Sequence, residues 1–250
     1  MIGLDVFKEY FRDYSEQYVL IGGAACDIIF EELDTAFRAT KDLDMVLIVE
    51  TLTPEFGRKF WQFVKDGGYE NRAKSSGMPQ FYRFDKPKEP GFPYMIELFS
   101  RTEDTLLGED AGSCIPLPLG DEISSLSAIL LNRDYYSMLL KGKTVLSEIA
   151  VLSHTYLIPF KAKAWLDLRE RKAQGQHVDE KDIRKHRNDI LRLATLLTRT
   201  ERCGLAEPVR RDISIFIDNL RLNPIDLKTL KIPGTSFEDV IAVLSQIYLK

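Results

Sequence analysis

The sequence predicts an α/β (α+β) fold, with a core of strands and helices over residues 1–150 and a C-terminal helical bundle over residues 151–250. Residues 19–49 are typical of a strand, a Gly-Gly turn, a helix and a second strand. Residues 80–84 and 94–99 predict an antiparallel pair of strands beside it. From Ser153 onward, apolar residues recur at helical spacing.

The composition is that of an ordinary globular protein. Of the 250 residues, 44% are hydrophobic and 29% are charged. The net charge of −4 argues against a protein-wide nucleic-acid surface but not against a local basic face. Cys26, Cys114 and Cys203 lack metal-binding spacing, so we predict free thiols. No apolar run approaches membrane-spanning length and no signal peptide is evident, so we expect a cytoplasmic protein with no membrane partner.

The turn after the first predicted strand consists of Gly22 and Gly23. A glycine pair permits positive φ angles and allows a ligand to approach the backbone closely. The backbone N–H groups at the start of the following helix can bind an anion. The pair therefore indicates a phosphate-binding turn, although many glycine pairs are only turns.

Two carboxylates begin the next predicted strand, Asp42 and Asp44. Side chains two residues apart on a strand point to the same face. Two carboxylates held side by side repel each other unless a cation lies between them. Mg²⁺ with a phosphate substrate commonly occupies such a pair, whereas the alternative is a solvated strand end.

Glu97 lies inside an otherwise apolar predicted strand. A buried carboxylate is costly unless it is paired or bound to a metal. One interpretation is a glutamate that faces solvent or forms an ion pair with Arg83 across the strand pair. The other is a third acid beside Asp42 and Asp44, with Asp85 as a weaker candidate for that role.

These motifs resemble those of a known family. Gly22-Gly23, a helix and then R-x-T-x-D-h-D over residues 38–44 resemble the core of the DNA-polymerase-β-like nucleotidyltransferase superfamily. Within this superfamily, most of residues 15–200 resemble the AbiEii-type nucleotidyltransferases. Many of those proteins are toxins of type IV toxin–antitoxin pairs. One departure is that Ala24 and Ala25 follow the glycines, where many members have a Ser or Thr hydroxyl.

The resemblance implies a nucleotidyltransferase-like mixed sheet and a Mg²⁺-dependent enzyme with a two-metal site that Mn²⁺ could also fill. Such an enzyme transfers an NMP from an NTP to an acceptor, here RNA, tRNA or protein, with a small-molecule acceptor as the alternative. A cognate antitoxin is the implied protein partner. The implied catalytic residues are Asp42, Asp44, Glu97 and Lys161, of which the three acids bind metal. The implied nucleotide- or phosphate-binding residues are Gly22, Gly23, Arg38, Thr40, Lys161 and Asp182.

Lys161 is implied because it begins the pattern K-h-x-A-h, with Arg169 as the arginine that follows in the family. On a helix it shares an apolar face with Trp165, so the alternative is a lysine whose stem is buried and whose amine reaches water. Lys181-Asp182-Ile183 matches half of a second family motif, but Lys185 stands where the family often has Asp. Asp182 would contact nucleotide or hold Lys161.

Further predictions concern the scaffold and the activity. Residues 135–152 are predicted to form a hairpin and residues 121–131 a helix. Residues 103–112 are predicted to form either a lip of the cleft or an excursion from the sheet. The missing hydroxyl after the glycine pair also motivates an alternative function: a catalytically inactive nucleotide-binding or regulatory module of the same fold.

Overall fold

The computed structural model describes residues 1–38, 40–71, 81–100, 129–130 and 132–250. The chain forms two compact units, Met1–Leu119 with Lys143–Ser153, and Gly120–Gly142 with His154–Lys250. We call them the sheet unit and the helical unit. The predicted cleft lip at 103–112, and most of the predicted helix at 121–131, lie outside the described residues.

Within its described residues, the sheet unit is built on a mixed sheet of seven strands in the order β3-β4-β5-β2-β1-β7-β6. β2 is parallel to β5 and β1 is parallel to β7, whereas the other neighbouring pairs are antiparallel. The predicted fold class is thereby confirmed.

The sheet unit has the following elements. Its strands are β1 Tyr18–Ile21, β2 Asp42–Leu47, β3 Glu70–Asn71, β4 Phe81–Asp85, β5 Met95–Phe99, β6 Lys143–Leu146 and β7 Ile149–Leu152. Its helices are α1 Leu4–Phe11, α2 Gly22–Glu31 and α3 Pro54–Asp66.

An aromatic cluster from α1 and α3 covers one face of this sheet. Phe7 packs edge-on against Tyr18 of β1, and Phe60 of α3 packs edge-on against Phe84 of β4. Thr53 caps α3, because its hydroxyl accepts a hydrogen bond from the Phe56 N–H. Since side chains alternate along a strand, the neighbours of these buried aromatic residues point to the opposite face.

The predicted hairpin is partly wrong. Residues 135–140 belong to helix α4, Arg133–Gly142, and the hairpin consists of β6 and β7. Asn132 explains the helix, because its side-chain oxygen accepts hydrogen bonds from the N–H groups of Asp134 and Tyr135. This N-terminal cap overrides the strand preference of the tyrosines. Ser147 and Glu148 turn the hairpin with positive φ angles of 46° and 68°.

From Asn132 onward, the helical unit contains α4 and four longer helices. They are α5 His154–Ala173, α6 Glu180–Leu193, α7 Glu207–Leu222 and α8 Phe237–Tyr248, with 3₁₀ turns at Ala194–Leu196 and Leu227–Leu230. α5 continues through Pro159. Ser236 caps α8 as predicted, because its hydroxyl accepts from the Asp239 N–H. None of the described helices is both long and apolar enough to span a membrane.

The described cysteines are the free thiols that the sequence predicts. Cys26 and Cys203 are both buried and unbonded to another cysteine, and Cys114 lies outside the described residues. Burial raises the pKa of the Cys203 thiol to about 11. A thiol with so high a pKa is a poor nucleophile near neutral pH.

A buried ion pair joins α5 to α6. Lys161 Nζ donates to Asp189 Oδ2 at 3.0 Å. The side chain of Asp189 is fully buried and that of Lys161 is 6% exposed, so the lysine does not carry its amine to water. Removing one partner of such a pair leaves an uncompensated charge in a low-dielectric interior.

We therefore predict that Lys161→Met destabilises the helical unit by about 3–5 kcal/mol. Adding Asp189→Leu should restore most of the loss, because no buried charge then remains. Urea unfolding followed by Trp165 fluorescence, in a Trp61→Phe background, measures both. The control is Lys172→Met, because Lys172 also joins α5 to α6, through Glu180, but at an exposed position. Equal losses for Lys161→Met and Lys172→Met would contradict a structural role for the buried pair.

Candidate functional site

The candidate site is built where β1 turns into α2. Gly22, the first residue of α2, has a φ angle of +65°. A methyl group built on Gly22 would lie 1.8 Å from Oδ2 of Asp44. The Asp44 carboxylate therefore occupies the space that a side chain at position 22 would need. Only glycine fits there, both for its φ angle and for this contact.

The loop before β2 closes over the second glycine. A methyl group built on Gly23 would lie 2.6 Å from Thr40 Oγ1 and 3.5 Å from Arg38 Nη2. Arg38 also lies against the Phe37 ring, with its guanidinium carbon 5.3 Å from the ring centroid. The structure thus brings together four residues of the predicted phosphate site, and Asp44 lies beside them.

The strand register places the three predicted metal-binding acids on one face. On parallel strands β2 and β5, Asp44 is opposite Glu97 and Asp42 is opposite Met95. Directly opposite residues of neighbouring strands point to the same face. Asp42, Asp44 and Glu97 therefore project from the face of the sheet opposite to the aromatic cluster.

Glu97 is engaged in an ion pair on this face. Arg83 lies opposite it on β4 and donates from Nε at 2.9 Å and from Nη2 at 2.5 Å. Both hydrogen bonds end at Oε1, so Oε2 takes no part in the pair. The ion-pair alternative that the sequence left open is the arrangement that the structure shows. In the described part of the chain, no group of three or more His, Cys, Asp or Glu is arranged to hold a metal.

The pair Asp42 and Asp44 nevertheless fits Mg²⁺ in the form in which proteins usually bind it, through one or two carboxylates and the phosphates of a substrate. Asp44 lies at the N-terminus of α2, whose N–H groups carry partial positive charge and also attract phosphate. A phosphate bound there would lie beside a carboxylate. A divalent cation removes the repulsion between the two anions.

The remaining predicted site residues belong to the helical unit. Lys161 is paired with Asp189, and Asp182 is half-buried on α6. Arg169 lies over the Trp165 ring, 4.6 Å from its centroid. Asp189 is the residue that sequence reasoning missed. The sequence contained a sign of this role. Asp189 comes three residues after His186, on the apolar side of α6, where it can face a lysine that points inward.

The contact between Gly22 and Asp44 generates a prediction. Gly22→Ala should destabilise the sheet unit by about 2–5 kcal/mol, because the strain of positive φ adds to an overlap with the carboxylate. The control is Gly91→Ala in the same unit, where φ is +90° and the nearest atom, Val6 Cγ2, would be 3.9 Å away. That control should lose only about 1–2 kcal/mol. Urea unfolding followed by Trp61 fluorescence would measure both, and equal losses would show that Asp44 does not occupy this space.

Comparison with known proteins gives weak similarities. No family model matches the chain, and no curated protein sequence matches it. The fold is similar to the crystal structure of an antigenic nucleotidyltransferase-like protein from Paracoccidioides brasiliensis, with a TM-score of 0.43 and 15% identity over 92% of this chain and 93% of that chain. It is also similar to the Megavirus polyadenylate synthase, with a TM-score of 0.40 and 12% identity over 88% of this chain and 36% of that chain. Similarities at this level do not assign an activity to the chain.

Proposed function

We propose that the chain is a Mg²⁺-dependent nucleotidyltransferase that transfers an NMP from an NTP to an acceptor hydroxyl and releases pyrophosphate. The observation that carries the proposal is the position of Asp44, whose carboxylate lies against the Gly22 turn at the start of α2. A metal-binding acid and a phosphate-binding turn then lie side by side. Nucleotidyl transfer requires both in one place.

Each candidate site residue of the sheet unit has a specific role in this proposal. Asp42 and Asp44 would hold Mg²⁺, which when bound would supply Lewis-acid stabilisation of phosphate charge and lower the pKa of the attacking hydroxyl. The N–H groups at Gly22 and Gly23 bind and orient the phosphates. Arg38 offsets negative charge beside the same turn, and Thr40 offers a hydroxyl hydrogen bond. Glu97 has Oε2 outside its pair with Arg83 and can accept the proton of the acceptor hydroxyl.

Lys161 and Asp182 enter the proposal only through the family resemblance. It assigns to Lys161 the charge of the leaving pyrophosphate, and to Asp182 a contact with the nucleotide. The buried pairing of Lys161 with Asp189 favours a role in holding α5 against α6. The proposal for the chemistry is therefore based on the sheet unit and does not require Lys161.

The acceptor and the biological role are also drawn from the resemblance. It points to RNA, particularly tRNA, or to a protein as acceptor, and to a cytoplasmic toxin that an antitoxin partner neutralises in abortive infection. The reading frame next to the gene decides the last point, because a type IV pair is encoded together.

The first prediction for this activity is that the purified protein transfers label from an α-³²P-labelled NTP to total RNA or cell protein in the presence of Mg²⁺. Asp42→Asn should lower the rate by about 100-fold or more, because it removes charge that stabilises the transition state. Asp5→Asn, an exposed acid of α1, should leave the rate unchanged. Failure of the wild-type protein to label any acceptor, or equal rates for the wild-type protein and Asp42→Asn, would refute the proposal.

A second candidate function is supported by two observations. Ala24 and Ala25 provide no hydroxyl after the glycine pair, and Arg83 neutralises Glu97. These features suit a module that binds a nucleotide with Mg²⁺ and does not turn it over. Such a module could regulate a partner through nucleotide occupancy.

Glu97→Gln separates the two candidates. For an enzyme, this variant should lose transfer while its NTP affinity, measured by calorimetry with Mg²⁺, stays close to that of the wild-type protein. For a module, the wild-type protein binds NTP without turnover, and Glu97→Gln changes only stability. The control is Glu9→Gln on α1, which should alter neither quantity. An active Glu97→Gln variant would remove Glu97 from the chemistry.

A further inference from the structure

A cavity of about 400 Å³ lies in the sheet unit, outside the glycine turn. This volume falls within the range of sites that bind one small molecule. The cavity combines charged, aromatic and aliphatic side chains. Its lining includes Ile2, Thr40, Lys41, Lys88, Phe92 and Tyr94.

The strand register places the cavity at the end of the sheet at which the parallel strands β2 and β5 begin. Asp42 and Met95 face each other at the first positions of the parallel strands β2 and β5. Lys41 and Tyr94 are the residues immediately before them. Thr40 lines the cavity and also lies against Gly23. Thr40 therefore links the cavity to the phosphate turn, and the cavity lies at the end of β2 at which Asp42 stands.

An exposed aromatic ring forms one side of the cavity. The side chain of Tyr94 is 54% exposed, although large apolar residues of this unit are mostly buried. The ammonium nitrogen of Lys41 lies 5.7 Å from the centroid of its ring. Phe92 has its ring packed against Phe63 in the aromatic cluster, which leaves Tyr94 as the more accessible ring. Nucleic-acid bases stack on exposed rings of this kind.

The charges in the lining favour an anion. Lys41 and Lys88 are both exposed, and Glu89 is the one acid among the lining residues. No described ion pair neutralises either lysine, in contrast to Lys143, which is held by Glu16. A nucleotide suits this lining, because its base can stack on the tyrosine ring and its phosphate can pair with the two ammonium groups.

We propose that this cavity binds a nucleotide unit, with the base stacked on Tyr94 and the phosphate held by Lys41 and Lys88. The unit is either a free nucleotide or the end of a single-stranded RNA. At this position, next to Thr40 and the phosphate turn, it would serve as the acceptor. The acceptor role rests on the proposed function, whereas the binding itself does not.

The test measures binding without catalysis. The full-length protein in EDTA is titrated with AMP by calorimetry, and with a fluorescein-labelled single-stranded hexaribonucleotide by anisotropy. Tyr94→Ala should weaken binding by about 5- to 150-fold, the loss that removal of one stacked base produces. Tyr94→Phe should retain the affinity, because it keeps the ring. Lys41→Gln should weaken binding and reduce its salt dependence.

The matched control is Lys59→Gln, because Lys59 also lies over a tyrosine of the same unit, 4.7 Å from the Tyr10 ring centroid. It should bind as the wild-type protein does. If both probes bind and AMP displaces the RNA, the ligand is a free nucleotide. If only the RNA binds, the ligand is the end of a single strand. The inference is overturned if neither probe binds, or if Tyr94→Ala binds as tightly as Tyr94→Phe.

The outcome is separable from that of the proposed function. Loss of NMP transfer in Asp42→Asn with unchanged binding in EDTA supports both. Binding at Tyr94 by a wild-type protein that transfers no label overturns the proposed activity and leaves the nucleotide site standing. Transfer activity without binding at Tyr94 overturns only this inference.

Discussion

The structure of the candidate site depends on the contact between the Asp44 carboxylate and the backbone at Gly22. The carboxylate fills the space beside the first residue of α2, and the missing Cβ of Gly22 makes that approach possible. The partial positive charge of the helix N-terminus stabilises the carboxylate in this position. The loop with Arg38 and Thr40 lies against Gly23, so both glycines of the turn are covered by residues at or just before the start of β2.

The two faces of the sheet have different tasks. Phe7, Phe60 and their aromatic neighbours bury one face and supply the core of the sheet unit. The opposite face carries Asp42, Asp44 and Glu97 on adjacent strands. Arg83 reduces the repulsion among these acids by pairing with Glu97. A cation between the aspartates would reduce the rest, and this is the physical reason for placing Mg²⁺ there.

Much of this arrangement was predictable from local sequence. The glycine turn, the capped helix after Thr53 and the strand with Asp42 and Asp44 follow from neighbouring residues. The prediction for residues 135–140 was wrong because their strand preference is weaker than the cap that Asn132 provides. For Glu97, local sequence left open whether the carboxylate faces solvent or pairs with Arg83, or serves as a third metal-binding acid. Two hydrogen bonds from Arg83 identify the arrangement that is formed.

The sequence by itself determined that Asp42 and Asp44 share a face, because the two-residue period of a strand is a local property. It also determined that the turn between strand and helix can adopt a positive φ angle, because glycine occupies position 22. Only the tertiary structure decided that Asp44 stands opposite Glu97 and that Lys161 pairs with Asp189, 28 residues away. Strand register and helix packing join segments distant in the chain, and local periodicity carries no information about which partners meet.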